Sequence, residues 1–262
     1  MLVTVLVAPF VEEFTKGVVI LVLLKMRKID NMTDGILLGI VIGLGFAASE
    51  NVHYALKVVY PYSGELAMWH NLWFREIHTT LLHASACAVW GAMIGYSRNF
   101  KGVQQFFALL IGFILSMVTH GFWNFMATFV GSIKASFNLI EVAMRMELVV
   151  IFGMLMTLYF GSVISESRVI VRELLEEYEK GVIPKEHIGF FASVVRISKR
   201  YNLPKKVKPK VYAKLGVRLA FRKHDYRIHP RPELLQEIHV LREKLKKISE
   251  YKPGSLSLRY GK

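Results

Sequence analysis

The sequence predicts an all-α protein: a polytopic bundle of about five transmembrane helices in residues 1–165, followed by a small helical domain in 166–262. Three observations carry that prediction. Of the 262 residues, 53% are hydrophobic and 21% charged. Mean hydropathy is +0.36. Five apolar stretches come close to the roughly 20 residues a helix needs to cross a bilayer, and all of them lie before residue 165. Strands would leave backbone groups unsatisfied in lipid, so helices are the element that fits. A wholly soluble fold is excluded. The single cysteine, Cys87, excludes a disulfide framework and any multi-cysteine zinc site.

Charge divides the chain at the same place. Residues 1–165 hold 10 Lys/Arg against 9 Asp/Glu, and residues 166–262 hold 24 against 11. The net charge of +14 therefore belongs to the tail. The basic segments alternate along the apolar part. Lys25, Arg27 and Lys28 follow the first stretch, and Arg98 and Lys101 follow the third. The second loop, Tyr60–Phe74, has no Lys or Arg, and the fourth has only Lys134 and Arg145. By the positive-inside rule the N-terminus lies outside the cell membrane and the tail lies in the cytosol.

The first window, Leu2–Leu24, lacks the basic start and small-residue cleavage site of a signal peptide. It begins at the outer face with almost no lead-in, which points to a truncated start or a missing upstream helix. Its middle reads Ala8-Pro9-Phe10-Val11-Glu12-Glu13-Phe14-Thr15-Lys16. A charge at mid-membrane costs roughly 2.5–3.5 kcal/mol on insertion scales. Lys16 is i,i+4 from Glu12 and i,i+3 from Glu13, so it can pair with either. A plain ion pair accounts for Lys16 and one glutamate and leaves the other unexplained.

The second window, Gly35–Val59, carries Phe46-Ala47-Ala48-Ser49-Glu50-Asn51 and then His53. The third, Ile77–Tyr96, carries His78, His83 and Cys87. The fourth, Phe106–Val130, carries Thr119-His120-Gly121-Phe122-Trp123-Asn124. The fifth, Leu148–Ile164, is a generic apolar helix. A lone helical histidine is more often a hydrogen-bonded core residue than a ligand, and the joint placement of several is the signal here. Counted at 1.5 Å per residue from the basic ends, Glu12, Glu50, His83 and His120 all sit roughly 18–23 Å into a core about 30 Å thick. Glu12, Glu13, Glu50, His83 and His120 are thus expected to line one polar cavity, with Lys16, Asn51 and Asn124 in support. Asn124, one turn beyond His120, is placed to orient that ring or to bind substrate. Arg75 reads as a snorkelling interface residue, and Cys87 as a small buried apolar residue rather than a nucleophile paired with His83.

Such a set suits hydrolysis in two ways. In one, Glu50, His83 and His120 hold a divalent metal such as zinc and leave a position open for water. In the other there is no metal: a glutamate takes the proton from water and the histidines stabilise the oxyanion. A proton- or ion-coupled transporter would also use buried Glu and His, although no inverted repeat is visible. A non-catalytic scaffold that binds helices is the third class.

The order of motifs resembles the PrsW family of intramembrane proteases, relatives of the type II CAAX prenyl endopeptidases. The matching stretches are E-E-x-x-K at Glu12–Lys16, F-x-x-x-E at Phe46–Glu50 followed by Asn51, the helix-borne histidine in Leu82-His83-Ala84, and H-x-x-x-N at His120–Asn124. The resemblance covers about residues 8–125 and leaves out the tail. It implies a membrane peptidase whose active site is Glu12, Glu13, Glu50, His83 and His120. Its substrate would be a membrane-embedded or membrane-anchored protein, and membrane-anchored anti-sigma factors are the substrates associated with that family.

In the tail, Glu166–Lys180 alternates charges and stops at Gly181, a helix-ending signal. Lys185–Tyr201 and Pro232–Tyr251 read as amphipathic helices, the latter with Leu234, Leu235, Ile238, Leu241, Leu245 and Ile248 on one stripe. Pro204–Arg231 between them is dense in Lys and Arg, and a loose end follows Pro253. The basic charge is read first as solvation and topology, next as contact with anionic lipid. Nucleic acid ranks last, because no nucleic-acid-binding motif is present.

Overall fold

A computed structural model of the chain describes residues 1–132, 137–193, 201, 203–204 and 207–249, and among these every regular element is helical. A π-helical turn, Val3–Val7, leads into α1 (Ala8–Lys25). Helix α2 (Met32–His53) passes through a second π-helical turn, Tyr54–Val59, into α3 (Tyr60–Tyr96). Then come α4 (Gly102–Ser132), α5 (Phe137–Glu179), α6 (Lys185–Ala192), α7 (Pro209–Ile228) and α8 (Pro232–Ser249). Two compact units result, Met1–Ser162 and Val163–Lys262.

Among the described residues, three helical stretches are long and apolar enough to cross a membrane: Met32–Asn99, Gly102–Phe129 and Val149–Glu179. The first contains the second and third windows of the sequence. Glu12, Glu13, Lys16 and Lys25 keep α1 out of this set, although it packs in the same bundle.

Helices α2 and α3 form the centre of the first unit. Asn31 caps α2, its side chain accepting from Asp34 N at 2.7 Å. A side chain added at Gly39 would lie 2.4 Å from Cys87 O, and one at Gly43 would lie 2.4 Å from His83 O. Only glycine lets these backbones meet, the small-residue packing that membrane helices favour. Gly35 facing Gly91 extends the same register, so each four-residue step up α2 is matched by four residues back along α3. The two helices are therefore antiparallel. The chain reverses at Gly64, the residue with non-helical torsions inside α3 (φ 74°, ψ −177°), in the left-handed region open to glycine. The segment Tyr60–Phe74, expected as a loop, is instead the start of α3. Pro61 sits in its first turn, and good helix formers such as Glu65, Leu66, Ala67 and Met68 follow the turn at Gly64.

Helix α1 seats Trp90 of α3 against Gly17, and Ile20, Ile29, Cys87, Trp90 and Ile94 pack as one buried cluster. Cys87 is a buried free thiol within that cluster. Pro9 shapes the start of α1. It has no N–H, so Val5 O loses its usual helical donor. The preceding turn widens to the π form, in which Ala8 N donates to Val3 O. That leaves Thr4 O free, and Asn124 Nδ2 of α4 donates to it at 2.8 Å.

The second unit has its own core, including Leu174, Ile183, Phe190, Phe191, Tyr212, Leu219 and Leu245. Helix α5 ends in a Schellman turn, with Val182 N donating to Glu177 O, Gly181 N donating to Tyr178 O, and Gly181 at φ 69°. The stretch Pro204–Arg231, read only as basic, contains α7. Its Lys223 pairs with Glu177 at 2.9 Å and Glu176 at 3.1 Å, and Arg227 reaches Glu173 at 3.0 Å. Arg242 of α8 holds Glu177 through both oxygens at 2.7 Å, and that hydrogen-bonded carboxylate raises the Arg242 pKa above its usual value. Burial pushes the Tyr212 hydroxyl up as well. Helix α6 stops at Ala192, short of the expected Tyr201. Residues 194–200, Lys134, Tyr251 and the end after Pro253 lie outside the described residues.

Candidate active site

Helices α1, α2, α3 and α4 each present at least one ionisable group to a common space, and α1 presents three. Glu13, at 0% exposure, is its innermost member. Its Oε1 accepts from Lys16 Nζ at 2.5 Å and faces His120 Nδ1 at 2.8 Å, and its Oε2 accepts from Ser116 Oγ at 2.6 Å. Lys16 Nζ also lies 2.9 Å from His83 Nδ1 and 4.1 Å from the centre of the Phe46 ring. His83 Nε2 lies 2.8 Å from Glu50 Oε2. The two imidazoles stand edge to face at 4.9 Å. Glu12, Glu13, Glu50, His83 and His120 are therefore brought together, with Lys16 among them.

Proton positions follow from the donor inventory. An ammonium only donates, so His83 Nδ1 accepts from Lys16, and Nε2 carries the proton given to Glu50. The Glu13 carboxylate only accepts, so His120 carries its proton on Nδ1 and turns the Nε2 lone pair away from Glu13. That lone pair lies 3.8 Å from Glu12 Oε2, which is also 3.8 Å from Lys16 Nζ and 3.9 Å from His83 Nδ1. Glu12 Oε2 is buried with no hydrogen-bond partner among the described residues. A buried carboxylate oxygen without a donor calls for water or a cation.

Among the described residues, Glu12, His83 and His120 form the group whose ligand atoms all lie within 4.8 Å of one another. This set differs by one residue from the Glu50, His83 and His120 set expected from sequence. Glu50 instead backs His83, as Glu13 backs His120, so each imidazole has a carboxylate on the nitrogen turned away from Glu12. Two histidines and one carboxylate, each histidine held by an outer carboxylate, fit a divalent cation of the zinc type. Lys16 already occupies the lone pair of His83 Nδ1, so a cation there would replace the ammonium.

Arg75 does not snorkel. Its Nη2 lies 2.9 Å from Glu50 Oε2, its Nε donates to Asn51 Oδ1 at 3.0 Å, and its guanidinium lies 4.0 Å over the Tyr54 ring. Asn51 is fully buried and ties the two legs of the hairpin together, accepting also from Thr79 Oγ1 at 2.9 Å and donating to Thr80 Oγ1 at 3.1 Å and Glu76 Oε1 at 3.3 Å. Asn124, one turn beyond His120, donates its Nδ2 to Thr4 O at 2.8 Å. Sequence reading missed Arg75, Thr79 and Ser116 as members of the site. Spacing carried the signal: Arg75, Thr79 and His83 step by four along α3, and Ser116 lies one turn before His120.

A family model described as PrsW family intramembrane metalloprotease matches residues 1–163. The chain is 31% identical over 126 residues to Protease PrsW of Shouchella clausii (strain KSM-K16), a match over 47% of this chain and 53% of that protein. It thus spans about half the length of this curated relative. No solved structure matches.

Proposed function

The chain belongs to the PrsW family of intramembrane metalloproteases, and on that premise we propose that it hydrolyses a peptide bond of a membrane-embedded or membrane-anchored protein, with Glu12 as the carboxylate that meets the reacting water. The observation that carries this reading is Glu12 Oε2, buried, without a hydrogen-bond donor, and 3.8–3.9 Å from both histidines. Glu13 is fully committed to Lys16, Ser116 and His120, so it positions rather than reacts. A water against Glu12 loses a proton to Oε2 as its oxygen adds to the substrate carbonyl carbon. The same proton then passes to the departing amine as the C–N bond breaks. With their protons given to Glu13 and Glu50, His120 and His83 turn lone pairs toward Glu12, so in the metal-free version the donor for the developing oxyanion is the Lys16 ammonium, 3.8 Å from Glu12 Oε2.

Two versions of this site are each supported by an observation. The family description and the clustering of Glu12, His83 and His120 support a divalent metal held by those three residues, which would polarise the carbonyl and the water. Glu50, the other part-exposed carboxylate, is then the base. The Lys16 ammonium on His83 Nδ1 supports the metal-free version, because a positive charge is already seated there.

The test is a pair of measurements. Wild type and Glu12→Gln are reconstituted with a panel of single-span membrane proteins and the products are read by mass spectrometry. Cleavage by wild type alone supports the proposal. Ion or proton flux without peptide products would mark a transporter, and substrate binding retained in both without products would mark a scaffold. Elemental analysis of active wild type beside His83→Ala separates the two versions. Stoichiometric metal lost in the variant supports metal catalysis, and active protein without metal supports the carboxylate mechanism. On the same reading the tail faces the cytosol, where its exposed lysines meet anionic head groups.

A further inference from the structure

The antiparallel register of α2 and α3 sets a length that the bilayer core does not match. Gly35 faces Gly91 near one end, and Gly64 makes the turn at the other. From Gly35 to Gly64 is 29 residues, about 44 Å of helix. The hydrocarbon core is about 30 Å thick, and the bilayer with its head groups about 40–45 Å. The basic residues Arg27, Lys28, Arg98 and Lys101 fix the opposite end of the hairpin at a membrane boundary. The closed end therefore extends past the hydrocarbon. Counted from Gly91, which is level with Gly35, Trp73 is 18 residues away, about 27 Å up, and Trp69 is 22 residues, about 33 Å. A tilt of about 20° shortens these heights by less than a tenth.

Side-chain chemistry changes at that height. Along α1, α2 and α4 the exposed large residues are almost all Val, Leu, Ile and Phe, whereas the closed end exposes Tyr54, Tyr60, Tyr62 (86%), Trp69 (55%) and Trp73 (73%) beside Leu56, Val58 and Leu66. Tryptophan and tyrosine collect where one end of the ring is apolar and the other is wet. Trp69 Nε1 donates to Glu65 within this segment. A cleft of about 500 Å³ lined by Trp69, His70, Leu72, Trp73 and Glu76 runs along the returning leg. Glu76 is in turn held by Asn51, beside Arg75 and Glu50.

We infer that the closed end of the α2–α3 hairpin, from Tyr54 to Phe74, is a lipid-binding crown seated in the phospholipid head-group layer, with Trp73 at the hydrocarbon boundary and Trp69 above it. The crown sets the depth of the functional site. Glu50 is 15 residues above Gly35, about 22 Å, which leaves it about 8 Å below the boundary. Resting on the version of the proposed hydrolysis in which Glu50 is the base, this means that an extended substrate strand reaches Glu50 within about three residues of the interface, so cleavage falls nearer the membrane edge of the substrate than mid-bilayer.

The test reads depth without needing catalysis. Trp90→Phe/Trp123→Phe protein, which keeps Trp69 and Trp73, is reconstituted in phosphatidylcholine vesicles with a nitroxide on the head group or near the acyl-chain end. The expected result is loss of more tryptophan emission to the head-group label than to the chain-end label, unchanged by adding Glu12→Gln. Stronger loss to the chain-end label would overturn the inference by placing the segment in hydrocarbon. Loss only to aqueous iodide would overturn it by placing the segment in water, and loss to none of these would show a protein cover such as a second copy. Should the double variant fail to fold, a spin label at Tyr62→Cys, with Cys87 buried, gives the same depth reading by relaxation. A crown found at the interface in a protein that cleaves nothing would sink the proposed hydrolysis and leave this inference standing.

Discussion

The Glu13 carboxylate lies 2.8 Å from His120 Nδ1, and this one contact decides which nitrogen of that imidazole faces Glu12. It also separates the duties of two adjacent glutamates. One is surrounded by donors and fixes geometry; the other keeps a bare oxygen toward the cavity.

Glu12→Gln is expected to fold as wild type does and to lower cleavage by about 100-fold or more, the loss typical of removing an acid–base group. Melting in detergent together with product counting checks both halves. A variant with wild-type turnover would transfer the role to Glu50.

Glu13→Gln is expected to act on stability first. It takes the negative charge away from the side chain closest to the buried Lys16 ammonium. Breaking a buried pair by removing one member costs about 3–5 kcal/mol. A large fall in melting temperature is the expected reading, and an unchanged one would contradict the role assigned to Glu13.

Arg75→Lys keeps the charge and loses the planar fork that reaches Glu50 and Asn51 together. The expected result is about a 10–100-fold loss of activity, the range for residues that orient catalytic ligands, with little change in melting temperature. Equal turnover in Arg75→Lys and wild type would return Arg75 to the status of an interface residue.

Gly39→Leu forces a side chain toward Cys87 O. Overpacking costs about 1–3 kcal/mol. Gly45→Ala meets nothing within 4 Å and serves as the control, expected to be neutral or stabilising by up to about 1 kcal/mol. Thermal unfolding of the two variants side by side should separate them.

How much of this was legible beforehand depends on range. Charges inside apolar windows stand out one residue at a time, and counting from the basic ends puts Glu12, Glu50, His83 and His120 at one height; the register sets Glu50 seven residues above the level of His83, and their side chains reach across that gap to meet. Rotation about each helix cannot be counted that way. For that reason Glu12 rather than Glu50 completes the group of possible metal ligands. Ser116 and Thr79 are small polar residues of a kind common in membrane helices, so they carry no alarm on their own. Arg75 looked cheap because it lies near a span end, and only the partner leg, through Glu50 and Asn51, reveals its role. Helix α7 was hidden for a similar reason: the acids that neutralise Lys223 and Arg227 lie about fifty residues earlier, on α5. Hydropathy gave no sign of the helical closed end of the hairpin, since Tyr, Trp, His and Asn there average to neither apolar nor charged.

The backbone-to-backbone seam between Gly39 and Cys87, and between Gly43 and His83, has a mechanical corollary. With no side chains between them to act as bearings, these two helices cannot slide or roll past one another without collision, so they serve as the stator of the machine. The cavity's remaining walls, α1 and α4, carry Glu12 and His120 and are tied at their tips by the Asn124–Thr4 bond.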